Sequence, residues 1–119
     1  MTALRLVPLP LHGAVEMLVG MFLVAAPLLL GLGTAAALIG FVVGMLAIGL
    51  AVSATGSAAD ARGTLSIAAH HSVDYGLVTG LFGAAAILAL SGETGATLVF
   101  AAAGLAQLAL NLTTRYSHR

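Results

Sequence analysis

The residues of this sequence that could do chemistry are a few histidines, acids and amides set within long apolar stretches. His12 and Glu16 are four residues apart, and His70 and Asp74 repeat that spacing. Residues four apart lie on one face of a helix, so each pair can act as a unit. The residues of the predicted polar layer are His12, Glu16, His70, His71, Asp74, Gln107 and Asn111.

Two interpretations of this layer are open. Ionisable side chains inside a membrane span are costly and mark candidate functional sites. Histidine also titrates near physiological pH, which favours a proton or ion site. In the structural interpretation, Glu16 and Asp74 lie at helix N-termini, where the helix dipole favours an anion. The histidines and Asn111 would then mark the interface or join helices by hydrogen bonds.

Metal or haem binding is a further interpretation. Suitable metal-ligand atoms are carried by His12, Glu16, Asp74 and either His70 or His71, and a bis-histidine haem site would need His12 with His71. No specific motif such as HExxH accompanies them, so the sequence predicts no metal site and no cofactor. Walker-type and G-x-S-x-G motifs are missing, as is a basic stripe, and we predict neither an enzyme nor a nucleic-acid-binding protein.

The elements that must position these residues are transmembrane helices. Apolar residues form 61% of the 119 residues and charged residues only 7%, and the mean hydropathy is +1.13. Soluble domains carry about 25% charged residues. The apolar residues run in blocks of about 20, the length of a helix that crosses the hydrocarbon core. These blocks are 13–32, 35–54, 72–90 and 94–112.

The blocks predict helices and not barrel strands, because they lack the alternation with period two that a barrel requires. The first block is longer than the apolar region of a signal peptide, so a retained helix is predicted. We therefore predict an all-α membrane protein, a single domain with four transmembrane helices in a lipid bilayer.

The basic residues predict the orientation of these helices. They are Arg5, Arg62, Arg115 and Arg119, and four spans place the segments that carry them on one side of the membrane. The short connections on the other side carry no basic residue. Basic residues in short loops mark the cytoplasmic side, so both termini and the middle loop are predicted to be cytoplasmic.

Tight, glycine-rich first and third connections predict two tandem helical hairpins. The first hairpin, the polar cytoplasmic loop and the second hairpin are predicted at 13–54, 55–69 and 70–114. A shift of about sixty residues superposes Gly20 on Gly80 and Thr34 on Thr94, which indicates an internal duplication. Two spans in each copy keep the same orientation, so the repeat would be parallel.

Glycines provide candidate helix contacts. Association of helices in lipid depends on close van der Waals approach, which small residues permit. Gly40 with Gly44, and Gly76 with Gly80, form GxxxG pairs. They either close the bundle internally or leave a face for a homo-oligomer or a membrane-protein partner.

The segment from residue 17 to residue 32 resembles the SPW-repeat membrane proteins. In that repeat a glycine lies near the middle of the first helix, followed by Ser-Pro-Trp, aliphatic residues and a final glycine. Gly20, Ala26-Pro27-Leu28 and Gly31 occupy these places. The resemblance implies a bacterial integral membrane protein of two helical repeats, with no settled biochemical role.

The sequence thus predicts a non-enzymatic, structural or accessory protein of the bacterial plasma membrane. It would act through helix packing with itself or with a membrane partner. The alternative is a small transporter, or a proton- or ion-conducting protein, that uses the polar layer. A metal-binding or haem-binding bundle is the third interpretation.

Overall fold

The computed structural model describes residues 6–55 and 66–114. Within these residues the chain forms α1 (Leu9–Leu29), α2 (Thr34–Thr55), α3 (Ile67–Leu90) and α4 (Thr94–Thr113). Each of the four helices is long and apolar enough to cross a membrane. The predicted all-α architecture with four membrane-length helices is therefore confirmed. All four arginines and the centre of the middle loop lie outside the described residues, and so does the prediction of orientation that rests on them.

Large apolar side chains cover the outside of the bundle as well as its core. Leu23, Leu81 and Phe100 are fully buried, while Leu90 on the outside is 90% exposed. Other exposed apolar side chains lie along every helix and include Leu18, Phe41, Leu46, Ile87, Leu98 and Leu105. A helix that is hydrophobic all round is typical of a membrane span, because the lipid replaces the solvent on its outer face.

Both α1 and α3 begin earlier than the apolar blocks predicted. Pro8 occupies the N-cap position of α1, where the lack of a backbone N–H has no cost. Ser66 caps α3, because its hydroxyl oxygen accepts a hydrogen bond from the Ala69 amide at 3.1 Å. Neither first turn contains an acid. Glu16 and Asp74 therefore do not cap helices, contrary to the structural interpretation of these acids.

The first and third connections end their preceding helices in the same way. Gly31 has φ = 62° and Gly92 has φ = 78°, the left-handed conformation that glycine adopts without strain. The amide of the following residue then reaches back to the helix, from Leu32 to the Pro27 carbonyl and from Glu93 to the Leu88 carbonyl, each at 2.9 Å. These turns return the chain sharply, so α1 packs mainly on α2 and α3 mainly on α4.

Glycines bring α1 and α2 into close contact. A Cβ atom added at Gly20 would lie 2.8 Å from the Gly44 carbonyl oxygen, and one added at Gly44 would lie 2.7 Å from the Gly20 oxygen. A Cβ at Gly40 would meet the Leu23 carbonyl oxygen. Only a residue without a side chain fits at these positions, so Gly40 and Gly44 make the close approach that their spacing predicts.

Gly76 and Gly80 do not make such a contact. Within the part of the chain that the structure describes, no atom lies within 4 Å of a Cβ built at either position. Both glycines are exposed and line an open apolar groove of about 360 Å³ between α2 and α3. The contact between α3 and α4 uses another glycine, Gly104, whose Cβ would lie 3.0 Å from the Phe82 ring.

A short backbone contact joins the two ends of the described chain. The Val7 amide donates to the Thr113 carbonyl at 2.9 Å, and Val7 forms a parallel bridge with Thr114. This contact fixes the start of α1 against the end of α4. Polar side chains are buried at this end of the bundle, where α1 and α3 begin and α2 and α4 end.

Candidate functional site

The buried polar side chains of the described chain lie close together. Each is at most 3% exposed, and they are His12, Glu16, His70, Asp74, Gln107, Asn111 and Thr114. We call these residues the polar cluster. The first two residues come from α1, the next two from α3 and the last three from α4 and its C-cap.

Two histidines and two acids form the centre of the cluster. His12 Nε2 lies 2.9 Å from Asp74 Oδ2 and 3.6 Å from Glu16 Oε2. His70 Nε2 lies 3.3 Å from Glu16 Oε1 and 3.3 Å from Asp74 Oδ2. One ligand-type atom from each of the four residues can be chosen so that all lie within 4.8 Å of one another. We call these four residues the central quartet.

The other ring nitrogen of each histidine contacts a hydroxyl group. His12 Nδ1 lies 2.7 Å from Thr114 Oγ1, and that hydroxyl donates to the Leu110 carbonyl at 2.6 Å. A hydroxyl has one hydrogen to donate, so Thr114 must accept the bond from a protonated Nδ1 of His12. The tautomer of His12 is therefore assigned from this network, with a proton on Nδ1.

The same arrangement determines the tautomer of His70. Its Nδ1 lies 3.2 Å from Ser53 Oγ, and the Ser53 hydroxyl donates to the Leu50 carbonyl at 2.7 Å. His70 therefore carries a proton on Nδ1 as well. In both rings Nε2 is left to face the carboxylates of the central quartet.

Amide side chains of α4 support the acids. Gln107 Nε2 donates to Glu16 Oε2 at 2.7 Å and to Asn111 Oδ1 at 2.9 Å. Asn111 Nδ2 donates to the backbone carbonyl of Asp74 at 3.0 Å. These bonds hold Glu16 in place and connect α4 to both α1 and α3.

The cluster is built from two similar halves, and each histidine contacts the acid of the other half as well as its own. The acid nearest to His12 is Asp74 of α3, while Glu16 of α1 lies 3.3 Å from His70. The supporting hydroxyls also cross over, because His12 uses Thr114 after α4 and His70 uses Ser53 in α2. The amides break this symmetry. The sixty-residue shift superposes Gln107 and Asn111 on Ala47 and Ala51 of α2, which are fully buried.

The structure brings six of the predicted layer residues together and leaves His71 apart. His71 is half-buried, and its ring centroid lies 5.0 Å from that of Tyr75, its neighbour four residues along α3. The sequence interpretation missed Ser53 and Thr114. A hydroxyl at the last turn of a helix, at the level of a buried histidine, is the signal that identifies them.

The geometry does not suit the bis-histidine haem site. That interpretation requires His12 and His71 to face each other across a porphyrin. His12 instead faces His70, with ring centroids 5.6 Å apart and an interplanar angle of 72°. The Nε2 atoms of His12 and His70 each lie within 3.3 Å of an acid oxygen.

The central quartet can hold positive charge. Its two carboxylates are fully buried, and an unbalanced charge in such a place costs several kcal/mol. The charge can be balanced by protons on the two Nε2 atoms or by a cation between the four side chains.

No known protein family, curated protein or solved structure matches this chain.

Proposed function

We propose that this chain is a multi-pass membrane protein that binds a cation inside its helix bundle, as a small transporter does. The observation that carries the proposal is the central quartet, in which two acids and two histidine Nε2 atoms converge from α1 and α3. Ionisable groups are rare within membrane spans and typically mark the path of an ion. The quartet provides two negative charges for a cation, and its neutral imidazoles can serve as ligands.

The arrangement of the two halves supports this class of function. Ion sites of transporters with repeated architecture lie at the interface between the repeats. Here each half contributes one histidine and one acid to the quartet. We propose two tandem hairpins in a bacterial plasma membrane, and we propose that both termini and the middle loop are cytoplasmic, because all four arginines lie there in the sequence. The polar cluster would then lie near the cytoplasmic face.

Cation binding can be measured as a gain in stability. The detergent-purified protein, stripped with a chelator, would be unfolded by heat with added Na⁺, K⁺, Mg²⁺, Mn²⁺ or Zn²⁺. At a concentration of about 100 Kd, a bound cation stabilises the folded state by about 2.7 kcal/mol. We expect at least one cation to raise the Tm of the parent, and Glu16→Gln or Asp74→Asn to abolish that response.

The matched control is Glu93→Gln. Glu93 is an exposed acid at the opposite end of the bundle and makes no side-chain capping bond. This variant should respond to cations as the parent does. The proposal is wrong if no cation stabilises the parent, or if Glu16→Gln and Glu93→Gln respond equally. Uptake of the stabilising cation into proteoliposomes then tests transport.

A structural or accessory role is the second candidate function. It is favoured by the network that joins Gln107 to Glu16 and Asn111 to the Asp74 carbonyl, because these bonds tie α4 to α1 and α3. In this role protons on the two histidines balance the acids. The parent then shows no cation response, and Glu16→Gln lowers the Tm because it leaves one buried histidine proton without a balancing acid.

A further inference from the structure

We infer that the cation is a divalent first-row transition metal, best matched by Zn²⁺, held in four-coordinate geometry by the central quartet. This inference rests on the proposed function and adds the chemical class of the ligand. The four ligands would be His12 Nε2, His70 Nε2 and one carboxylate oxygen each from Glu16 and Asp74. The sequence predicted no metal site because these ligands come from two distant helices and form no local motif.

The ligand atoms of the quartet are close enough to gather around one metal ion. Two ligands that each lie roughly 2.0–2.1 Å from a tetrahedral zinc ion are about 3.3 Å apart. The distances from the two Nε2 atoms to the carboxylate oxygens are 2.9, 3.3, 3.3 and 3.6 Å. The two contacts to Glu16 use different carboxylate oxygens, and one ligand atom from each residue can be chosen so that all four lie within 4.8 Å of one another. The quartet therefore reaches four-coordinate geometry when its side chains draw together around a metal.

Both histidines are oriented as metal ligands are. A histidine that binds a metal through one nitrogen nearly always donates a hydrogen bond from the other. His12 donates from Nδ1 to Thr114, and His70 donates from Nδ1 to Ser53. Both hydroxyls are committed as donors to backbone carbonyls, so they accept from Nδ1 and direct Nε2 towards the acids.

The types of ligand atom in the quartet favour a transition metal. Imidazole nitrogen suits Zn²⁺ and its first-row neighbours, whereas Ca²⁺ takes about 6–8 oxygen ligands and Mg²⁺ prefers octahedral oxygen. Two neutral imidazoles and two carboxylates balance a divalent charge. Glu16 is further restrained because its Oε2 accepts from Gln107 at 2.7 Å, which is the kind of supporting bond that ligating carboxylates have.

One buried hydrogen-bond acceptor beside the quartet has no donor among the described residues. The Gln107 amide oxygen has no hydrogen-bond partner in residues 6–55 and 66–114, although the side chain is fully buried. The amide orientation is fixed, since turning it would direct this oxygen at Glu16 and Asn111 oxygens.

Zinc binding to the intact, metal-stripped protein in detergent tests the inference. Calorimetry should give one Zn²⁺ per chain, and X-ray absorption should show two histidine nitrogens and two oxygens at about 2.0–2.1 Å. Co²⁺ in the same site should give the intense visible bands of a four-coordinate ion. Loss of a supporting hydrogen bond typically weakens metal affinity about 10–100-fold, which we expect for Ser53→Ala and Thr114→Val.

Adjacent histidines provide the matched pair of variants. His70→Gln removes a ligand and should weaken Zn²⁺ binding by more than about 100-fold, beyond the effect of a lost supporting bond. His71→Gln, which changes the neighbouring histidine outside the quartet, should bind like the parent. If His70→Gln fails to fold, the absorption spectra of the parent with Zn²⁺ and Co²⁺ decide the question.

Three outcomes would overturn the inference. They are the absence of stoichiometric Zn²⁺ binding, a coordination shell without two histidines, and equal losses in His70→Gln and His71→Gln. These failures are distinguishable from failure of the proposed function. If Na⁺ or Mg²⁺ stabilises the parent but not Glu16→Gln, the cation-binding function stands and the transition-metal assignment is wrong. If no cation does so, both are wrong.

Discussion

His12 lies closer to an acid on another helix than to the acid on its own. Its Nε2 atom is 2.9 Å from Asp74 Oδ2 on α3 and 3.6 Å from Glu16 Oε2 on α1. The shorter contact crosses the bundle between α1 and α3, which are distant in the sequence and do not pack directly on each other as α1 packs on α2 and α4. The stability of the bundle should therefore depend on the groups that orient the His12 ring.

Thr114→Val should destabilise the protein. The change keeps the side-chain shape but removes the hydroxyl that accepts from His12 Nδ1 at 2.7 Å, and it leaves a buried donor without its partner. Such a loss costs about 1–3 kcal/mol. Thr113→Val is the control, since the Thr113 hydroxyl bonds only to carbonyls of its own helix. Equal unfolding free energies for the two variants in detergent would contradict the assigned role of Thr114.

Gln107→Leu should also destabilise the protein. Leucine cannot donate to Glu16 Oε2 or to Asn111 Oδ1, which accept from Gln107 Nε2 at 2.7 and 2.9 Å. Hydrogen bonds to charged groups contribute about 1.5–3 kcal/mol, so a loss of at least this size is expected in chemical unfolding. Leu105→Ile, on the exposed face of the same helix, should change the unfolding free energy little. A Gln107→Leu protein as stable as the parent would show that α4 does not hold Glu16.

Glycine substitutions should separate the packed face from the open groove. Gly44→Ala places a methyl group 2.7 Å from the Gly20 oxygen and should lower the Tm of the bundle. Gly80→Ala meets no atom within 4 Å and should leave the Tm unchanged or raise it, because alanine favours helix by about 1 kcal/mol over glycine.

Gly80→Leu extends this comparison to the oligomeric state. From the sequence alone, Gly80→Leu is expected to disturb helix association as Gly44→Leu does. In the structure the groove beside Gly80 is open and has room for a leucine side chain without a clash inside the bundle. Particle size in detergent should therefore be unchanged. A change in size with Gly80→Leu but not with Gly80→Ala would show that the groove contacts a second copy.

Cysteine labelling should determine the orientation. Ser57→Cys, in the middle loop, should react with a membrane-impermeant reagent only from the cytoplasmic side, since Arg62 lies in the same loop. Ser91→Cys, in the exposed connection after α3, should react only from the opposite side. Labelling of position 57 only from outside would reverse the proposed topology and place the polar cluster at the outer face.

The helices were predictable because membrane helices depend on length and apolarity, which are local properties of the sequence. The first residues of the helices were less predictable. The sequence placed the first residue of the third block at Ser72, but α3 begins at Ile67 because Ser66 supplies a cap. At α1, Pro8 occupies the N-cap position and the helix begins at Leu9, before the first apolar block. A search for the cap, and not only for the apolar run, would have placed the start of α3 before His70.

The composition of the site was partly predictable from spacing along each helix. The four-residue spacing of His12 with Glu16, and of Gln107 with Asn111, correctly indicates shared faces. It does not show which helix lies opposite, so the pairing of His12 with Asp74 required the structure. His71 lies beside Tyr75 on α3, and a histidine pair in sequence does not reveal which member faces inward.

The contact of each histidine with acids on both α1 and α3 also bears on membrane insertion and assembly of the helices. Before the helices associate, His12 and Glu16 can neutralise each other within α1, and His70 and Asp74 can do so within α3, because each pair is four residues apart. Each helix then enters the bilayer without an isolated charge.

Association adds contacts between the two helices to these local pairs, which persist in the assembled bundle at 3.6 and 3.3 Å. A slip of α3 along α1 by one helical turn moves the partners apart by about 5.4 Å and breaks every cross-helix contact of the quartet. Apolar faces in lipid have no comparable preference for one axial position, since leucine packs against leucine in many alignments. The polar cluster therefore fixes the axial register of the bundle, and a cation that binds the quartet selects the correctly assembled form.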